Sequence, residues 1–90
     1  MPRRRSPAHW YSVYMVAYAN EGIKLRVERG EEDITQPGQL DVQNFYTGTS
    51  QAQAERSFSR AAIVAYNTPL AYAVAMQRDG QMIVRVKIEH

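Results

Sequence analysis

The 90-residue sequence contains no cysteine, which excludes disulfide bonds and thiolate-ligated metal sites. Disulfides persist in oxidising compartments, so their absence favours a cytoplasmic location over secretion. Histidine is scarce, and its two copies, His9 and His90, lie near the ends of the chain. No apolar run approaches the roughly 20 residues that a membrane-spanning helix needs, so we expect no membrane segment.

These absences exclude most familiar catalytic sites. A Ser-His-Asp triad would have to take its histidine from a chain end, which conflicts with the preorganisation that catalysis requires. The sequence has no phosphate-binding glycine loop, no dinucleotide fingerprint and no zinc-ligand spacing. Carboxylates are present at Asp41, Glu55 and Asp79, but no motif pairs them. We therefore predict that the protein is not an enzyme and holds no metal and no cofactor.

Positive charge is concentrated at the N-terminus. The formal net charge is +2, and subtracting Arg3, Arg4 and Arg5 leaves −1 for the rest of the chain. Residues 1–9 also include two prolines, and this composition predicts a flexible basic arm. Residues 10–90 are predicted to form a single domain. The arm is either a solvated tail or a segment that contacts phosphate or an acidic partner.

The first half of the domain has the pattern of a β-hairpin. Residues 10–18 are rich in aromatic and β-branched side chains, which favour a strand. Residues 23–29 alternate between apolar and charged side chains, and Asn-Glu-Gly at 20–22 is typical of a turn. A short strand is possible over residues 39–46.

The second half is predicted to combine one helix with a three-stranded meander. Ser50 and Gln53 have the spacing of a capping box, which predicts a helix through residues 50–62. Residues 61–66, 70–77 and 81–90 are strand candidates separated by turns at 67–69 and 78–80, although Arg60 and Ala61 could instead prolong the helix. The predicted fold is α+β: a mostly antiparallel curved β-sheet of about five strands with one short helix, whose exposed edge could support a homodimer.

One stretch resembles a motif of small uncharacterised bacteriophage proteins. That motif has the form Tyr-x-Thr-Pro-(Ile/Leu)-Ala followed by an aromatic residue, and residues 63–72 read IVAYNTPLAY. The sequence departs from it at Ala65, where those proteins have serine, and it lacks their serine- and threonine-rich tail. The resemblance covers about a third of the chain. It implies phage origin and the cytoplasm of a bacterial host, with no established activity.

A small non-enzymatic protein of phage type is suited to binding and inhibiting a host protein or ribonucleoprotein complex. An anti-phage defence system such as a CRISPR effector is one such target, which would make the protein anti-CRISPR-like. Aromatic residues and arginine are enriched at binding hot spots. The candidate partner-binding residues of these types are Tyr11, Tyr14, Arg26, Tyr46 and Arg60. For each tyrosine, packing in or around the core is the alternative interpretation.

Two other functions fit the same sequence. In a single-stranded nucleic-acid-binding protein, sheet tyrosines would stack on bases while Arg3, Arg4 and Arg5 hold the backbone. In a small-ligand binder or sponge, the strand face formed by Ala71, Ala73 and Ala75 would leave room for the ligand. A virion or scaffold component that acts by self-association is a further alternative.

Overall fold

The central strand of the fold is β1 (Tyr11–Tyr18), which pairs with a neighbour on each side in a computed structural model that describes residues 8–31 and 38–89. The other elements are α1 (Glu21–Glu28), β2 (Leu40–Gly48), α2 (Gln51–Tyr66), β3 (Ala71–Arg78) and β4 (Gln81–Lys87). The four strands form one sheet in the order β2-β1-β3-β4, and all neighbours are antiparallel. The predicted α+β class is confirmed, with four strands and two helices in place of about five strands and one helix.

The predicted hairpin between residues 10–18 and 23–29 is wrong, because the second segment forms α1. Asn20, which the sequence pattern places in a turn, is the N-cap of this helix, and its side chain accepts a hydrogen bond from the Ile23 N–H at 2.9 Å. Ile23 is buried and Val27, four residues on, is half-buried, whereas Leu25 is 42% exposed. Burial therefore follows the helical period, not the alternation that suggested a strand.

The helix predicted from Ser50 is confirmed, and it is longer than expected. The Ser50 hydroxyl oxygen accepts a hydrogen bond from the Gln53 N–H at 3.2 Å, which caps α2. The helix continues to Tyr66, so the strand predicted over residues 61–66 is wrong and the meander is reduced to the β3–β4 hairpin. A seam of small residues at helical spacing faces the sheet and explains the continuation: Ala54, Ser57, Ala61 and Ala65.

The core lies between α2 and one face of the sheet. Val13 and Met15 from β1 pair with Met76 and Val74 from β3, and all four side chains are buried against the helix seam. Neither helix is long and apolar enough to cross a membrane in the part of the chain that the structure describes.

The predicted turn at residues 78–80 is confirmed as the β3–β4 connection. Asp79 and Gly80 have φ values of 53° and 81°, the left-handed conformation that two-residue hairpin loops require. The Asp79 carboxylate accepts a hydrogen bond from the Trp10 N–H at 2.8 Å and lies 2.6 Å from His9 Nδ1. The Trp10 N–H, together with the His9 side chain, holds the pKa of Asp79 below its usual range.

We expect Asp79→Asn to weaken the acid dependence of stability. A depressed folded-state pKa stabilises the protein above the unfolded-state pKa, and this contribution disappears as pH falls through the folded-state value. Asparagine tolerates the left-handed conformation, so the turn is preserved while the charge is removed. Urea unfolding from neutral pH down to about pH 3 should show the difference in stability between wild type and variant shrinking with acidification. A difference that is the same at every pH would contradict this account.

Candidate functional site

The edge strand β4 is exposed along most of its length. Six of its seven residues are exposed and Val86 is half-buried. Met82, Ile83 and Val84 are consecutive apolar residues, 48%, 44% and 36% exposed. Proteins usually protect such edges with charge, proline or a covering element, because a free edge is a template for another strand. The N-terminal half of β4 lacks charge and proline, which makes this edge the leading candidate for a binding surface.

A groove runs between β4 and α2, and its lining is partly apolar and partly polar, the polar residues including Glu55 and Arg78. Ile83 and Val84 line it from the strand, Phe58 lines it from the helix, and Met76 contributes from β3. Its volume is about 380 Å³. We call this the β4 groove. It adjoins an open strand edge, so a chain that pairs with β4 could place side chains in it.

A β-bulge aims two consecutive side chains into the β4 groove. Val84 pairs with Met76 and Met82 pairs with Gln77, which leaves Ile83 as the extra residue on β4. A bulge of this kind re-aims a side chain and interrupts the strict alternation of faces. Ile83 and Val84 consequently both line the groove, although neighbouring residues of a regular strand would point to opposite faces.

In the C-terminal half of β4, the outward-facing backbone groups belong to Arg85 and Lys87. The Ile88 N–H donates to the Tyr72 carbonyl at 2.8 Å, so the backbone of Ile88 faces β3. Because backbone groups alternate in direction along an antiparallel strand, those of Val86 also face β3. The N–H and C=O groups of Arg85 and Lys87 therefore point outward, where a further strand would pair.

The sheet face opposite α2 carries tyrosines and basic side chains. The Tyr14 hydroxyl oxygen accepts a hydrogen bond from Gln77 Nε2 at 3.0 Å. The Arg85 guanidinium lies 5.3 Å from the centre of the Tyr72 ring, within the range of a cation–π contact. Tyr72 also packs edge-on against Tyr18, with the ring centres 5.4 Å apart, and burial raises the pKa of the Tyr18 hydroxyl. These contacts fix the side chains of Tyr14, Tyr18 and Tyr72 against neighbouring residues of the sheet.

The predicted partner-binding residues lie in different parts of the fold. Tyr11 is 4% exposed and belongs to the core, and Tyr14 is half-buried on the face away from α2. Arg26 is exposed on α1. Tyr46 and Arg60 are brought together, since both line a pocket of about 350 Å³ between β2 and α2. Arg3, Arg4 and Arg5 lie outside the described residues.

Tyr46 has a structural contact that the sequence did not indicate. Its ring is half-buried against the core, and its hydroxyl oxygen accepts a hydrogen bond from the Ser50 N–H at 3.0 Å. That N–H belongs to the residue that caps α2. Tyr46 thus links the end of β2 to the start of the helix.

The alanines assigned to a ligand-binding face are buried. Ala71 belongs to the core cluster. Ala73 and Ala75 lie opposite Lys87 and Arg85 on β4 and Val16 and Tyr14 on β1, and both are buried. Their side chains therefore offer little contact area to a ligand.

Neither metal-binding groups nor similarity to known proteins assigns a function to the chain. Residues 8–31 and 38–89 contain no group of three or more His, Cys, Asp or Glu side chains that could hold a metal ion. Comparison of the chain with models of protein families, with curated proteins and with solved structures finds no match.

Proposed function

We propose that this is a non-enzymatic binding protein that docks onto a protein partner by adding a strand of that partner to β4. The observation that carries the proposal is the open, apolar edge of β4 beside the β4 groove. In this mode of recognition, main-chain hydrogen bonds supply affinity and pockets for alternate side chains supply specificity. β4 has both parts: outward backbone groups at Arg85 and Lys87, and a groove lined by Phe58, Ile83 and Val84.

The strength of such docking would depend on the groove. Each backbone hydrogen bond contributes a net of about 0.5–1.5 kcal/mol, and β4 offers only a few. Burying an aliphatic side chain contributes about 1.5–3 kcal/mol. A partner that fills the groove with one or two apolar side chains would therefore gain as much there as along the backbone.

A narrower proposal is that the partner belongs to a host macromolecular complex that the protein inhibits, such as a CRISPR effector. Its support is the resemblance of residues 63–72 to phage proteins. In the structure this stretch spans the end of α2, a turn and the start of β3, and the Thr68 hydroxyl donates to the Val64 carbonyl at 2.7 Å. A small domain can inhibit by occupying a surface, without a catalytic group.

We expect Arg85→Pro to abolish or strongly weaken capture of the partner. The Arg85 N–H points away from β3, so proline removes an outward donor without breaking the native ladder. Arg85→Ala removes the same side chain and keeps the donor. Tagged full-length protein should capture one stoichiometric partner from bacterial lysate after nuclease treatment, and Arg85→Pro should retain at least about fivefold less than Arg85→Ala.

The other edge of the sheet provides the matched control. The Ala19 N–H donates to the Gln39 carbonyl at 2.8 Å, so by alternation the Val42 N–H on β2 points outward. Val42→Pro should leave capture unchanged. Equal retention by Arg85→Pro and Arg85→Ala would contradict strand addition at β4, and loss with Val42→Pro alone would place the interface on β2.

The second candidate is binding of single-stranded nucleic acid on the face that carries Tyr14, Tyr72 and Arg85. Aromatic side chains on an open sheet can stack on bases. The described residues include eight basic and seven acidic side chains, so the described part of the chain has little excess positive charge. Capture that disappears with nuclease, together with a steep loss of binding as salt rises, would favour this candidate.

A further inference from the structure

We infer that the segment which β4 accepts is an extended strand in which acidic residues alternate with apolar residues. This inference rests on the proposed function and specifies the chemistry of the partner. It follows from the distribution of charge and apolar surface on the two sides of β4.

On the face away from α2, β4 carries two basic side chains, Arg85 and Lys87, and Lys87 also lines a pocket with Glu28 and Glu89. Arg85 and Lys87 lie opposite Ala75 and Ala73 on β3, so neither has an acidic neighbour across that pair of strands. Within the described residues, no ion pair engages either side chain. Opposite charges directly across a strand pair stabilise a sheet, whereas like charges destabilise it. A strand that paired with β4 would therefore be stabilised by acidic side chains at the positions that face Arg85 and Lys87.

The backbone fixes where those acidic side chains would lie. The outward N–H and C=O groups belong to Arg85 and Lys87, so the partner residues opposite them form the hydrogen-bonded pairs. Residues that face each other across a pair of strands point to the same side of the sheet. Partner residues at these two positions would consequently meet the basic side chains.

The residue between those two positions would point the other way, toward α2. Val86 is half-buried there and packs against the core, and the β4 groove continues alongside Ile83, Val84 and Phe58. An apolar side chain at this position, and another two residues further on, would cover the exposed part of the groove. The expected segment is thus acidic-apolar-acidic-apolar along its length.

A second copy of β4 fits this edge less well. In a two-fold antiparallel pair centred on Arg85, two arginines would face each other, and like charges across a strand pair are destabilising. A pair centred on Val84 would place Arg85 opposite Ile83, which the bulge has turned toward the groove. The first arrangement is therefore disfavoured by like charge, and the second by the side-chain directions that a regular pair requires.

The test is an NMR titration of the isotope-labelled full-length chain with two capped seven-residue peptides, one alternating valine and glutamate and the other valine and lysine. The valine–glutamate peptide should shift the amide signals of Arg85 and Lys87 and the ring signals of Phe58. It should bind about tenfold more tightly than the valine–lysine peptide.

A charge-swapped variant sharpens the test. Arg85→Glu combined with Lys87→Glu should reverse the order of the two peptides. Arg29→Glu combined with Arg56→Glu changes the net charge equally at two exposed positions that do not line the β4 groove, and it should leave the order unchanged.

The possible outcomes separate this inference from the proposed function. Equal binding of both peptides at β4 would overturn the acidic preference and leave strand addition standing. Shifts of β4 signals on concentrating the protein alone would assign the edge to a second copy and overturn the inference. An undisturbed β4 with either peptide would also overturn it, while the Arg85→Pro comparison decides independently whether the edge binds a protein.

Discussion

Replacing Ala61 by leucine is expected to destabilise the protein by about 1–3 kcal/mol. Ala61 is 0% exposed and lies in the middle of the seam, with Ala54, Ser57 and Ala65, through which α2 contacts the sheet. Small side chains along this seam set the distance between the helix and the strands. A leucine there must displace α2 or adopt an unfavourable rotamer, because a packed interior has no spare volume.

Ala52→Leu is the matched control for this prediction. Ala52 lies on the exposed side of the same helix, and alanine and leucine have similar helix propensities. Urea denaturation should show Ala52→Leu within about 0.5 kcal/mol of wild type. If both variants lost stability equally, the cost would come from the helix itself and the close approach of α2 to the sheet would be contradicted.

The start of α2 was readable from the sequence, whereas its end was not. A helix cap is a local interaction, here between the Ser50 hydroxyl oxygen and the Gln53 N–H. Both residues can therefore be recognised in the sequence. Residues 61–66 are alanine-rich and β-branched, a composition compatible with either helix or strand. The helix extends through them because Ala61 and Ala65 fit against β1 and β3, and that fit depends on tertiary structure.

The error at α1 has a different cause. Ile23, Leu25 and Val27 satisfy strand alternation, while Ile23 and Val27 alone satisfy the helical spacing. In a segment of eight residues these two periods overlap, and pattern cannot separate them. The cap at Asn20 decides between them, but the sequence Asn20-Glu21-Gly22 is also typical of a turn, because asparagine and glycine both tolerate positive φ.

The candidate site could be predicted only in part, because it depends on strand order and on a bulge. The run Met82-Ile83-Val84 was visible in the sequence, but nothing in it shows that β4 is an edge strand or that Ile83 turns toward α2. Residue type also did not predict whether each tyrosine side chain points into the core or toward solvent. Tyr11 was expected at a binding surface and lies in the core, since an aromatic ring suits either place.

Replacing Gly48 by alanine is expected to destabilise the protein by about 1–3 kcal/mol, through Tyr46. A Cβ at position 48 would lie 2.5 Å from the Tyr46 hydroxyl oxygen and 2.9 Å from Cζ of the same ring. The ring would have to move, and its hydroxyl oxygen would lose the hydrogen bond that it accepts from the Ser50 N–H at 3.0 Å. Both the packing of Tyr46 against the core and the start of α2 would be disturbed.

A double-mutant cycle isolates this mechanism. Tyr46→Ala removes the obstructing ring, so Gly48→Ala in that background should cost less than about 0.5 kcal/mol. Tyr46→Phe adds a second comparison, because it keeps the ring and removes only the hydroxyl, with an expected loss of about 1 kcal/mol. The free energies of unfolding come from urea denaturation of the four members of the cycle. If Gly48→Ala cost the same with and without the Tyr46 ring, its effect would arise from the strand backbone, and Tyr46 would not be the element that ties β2 to α2.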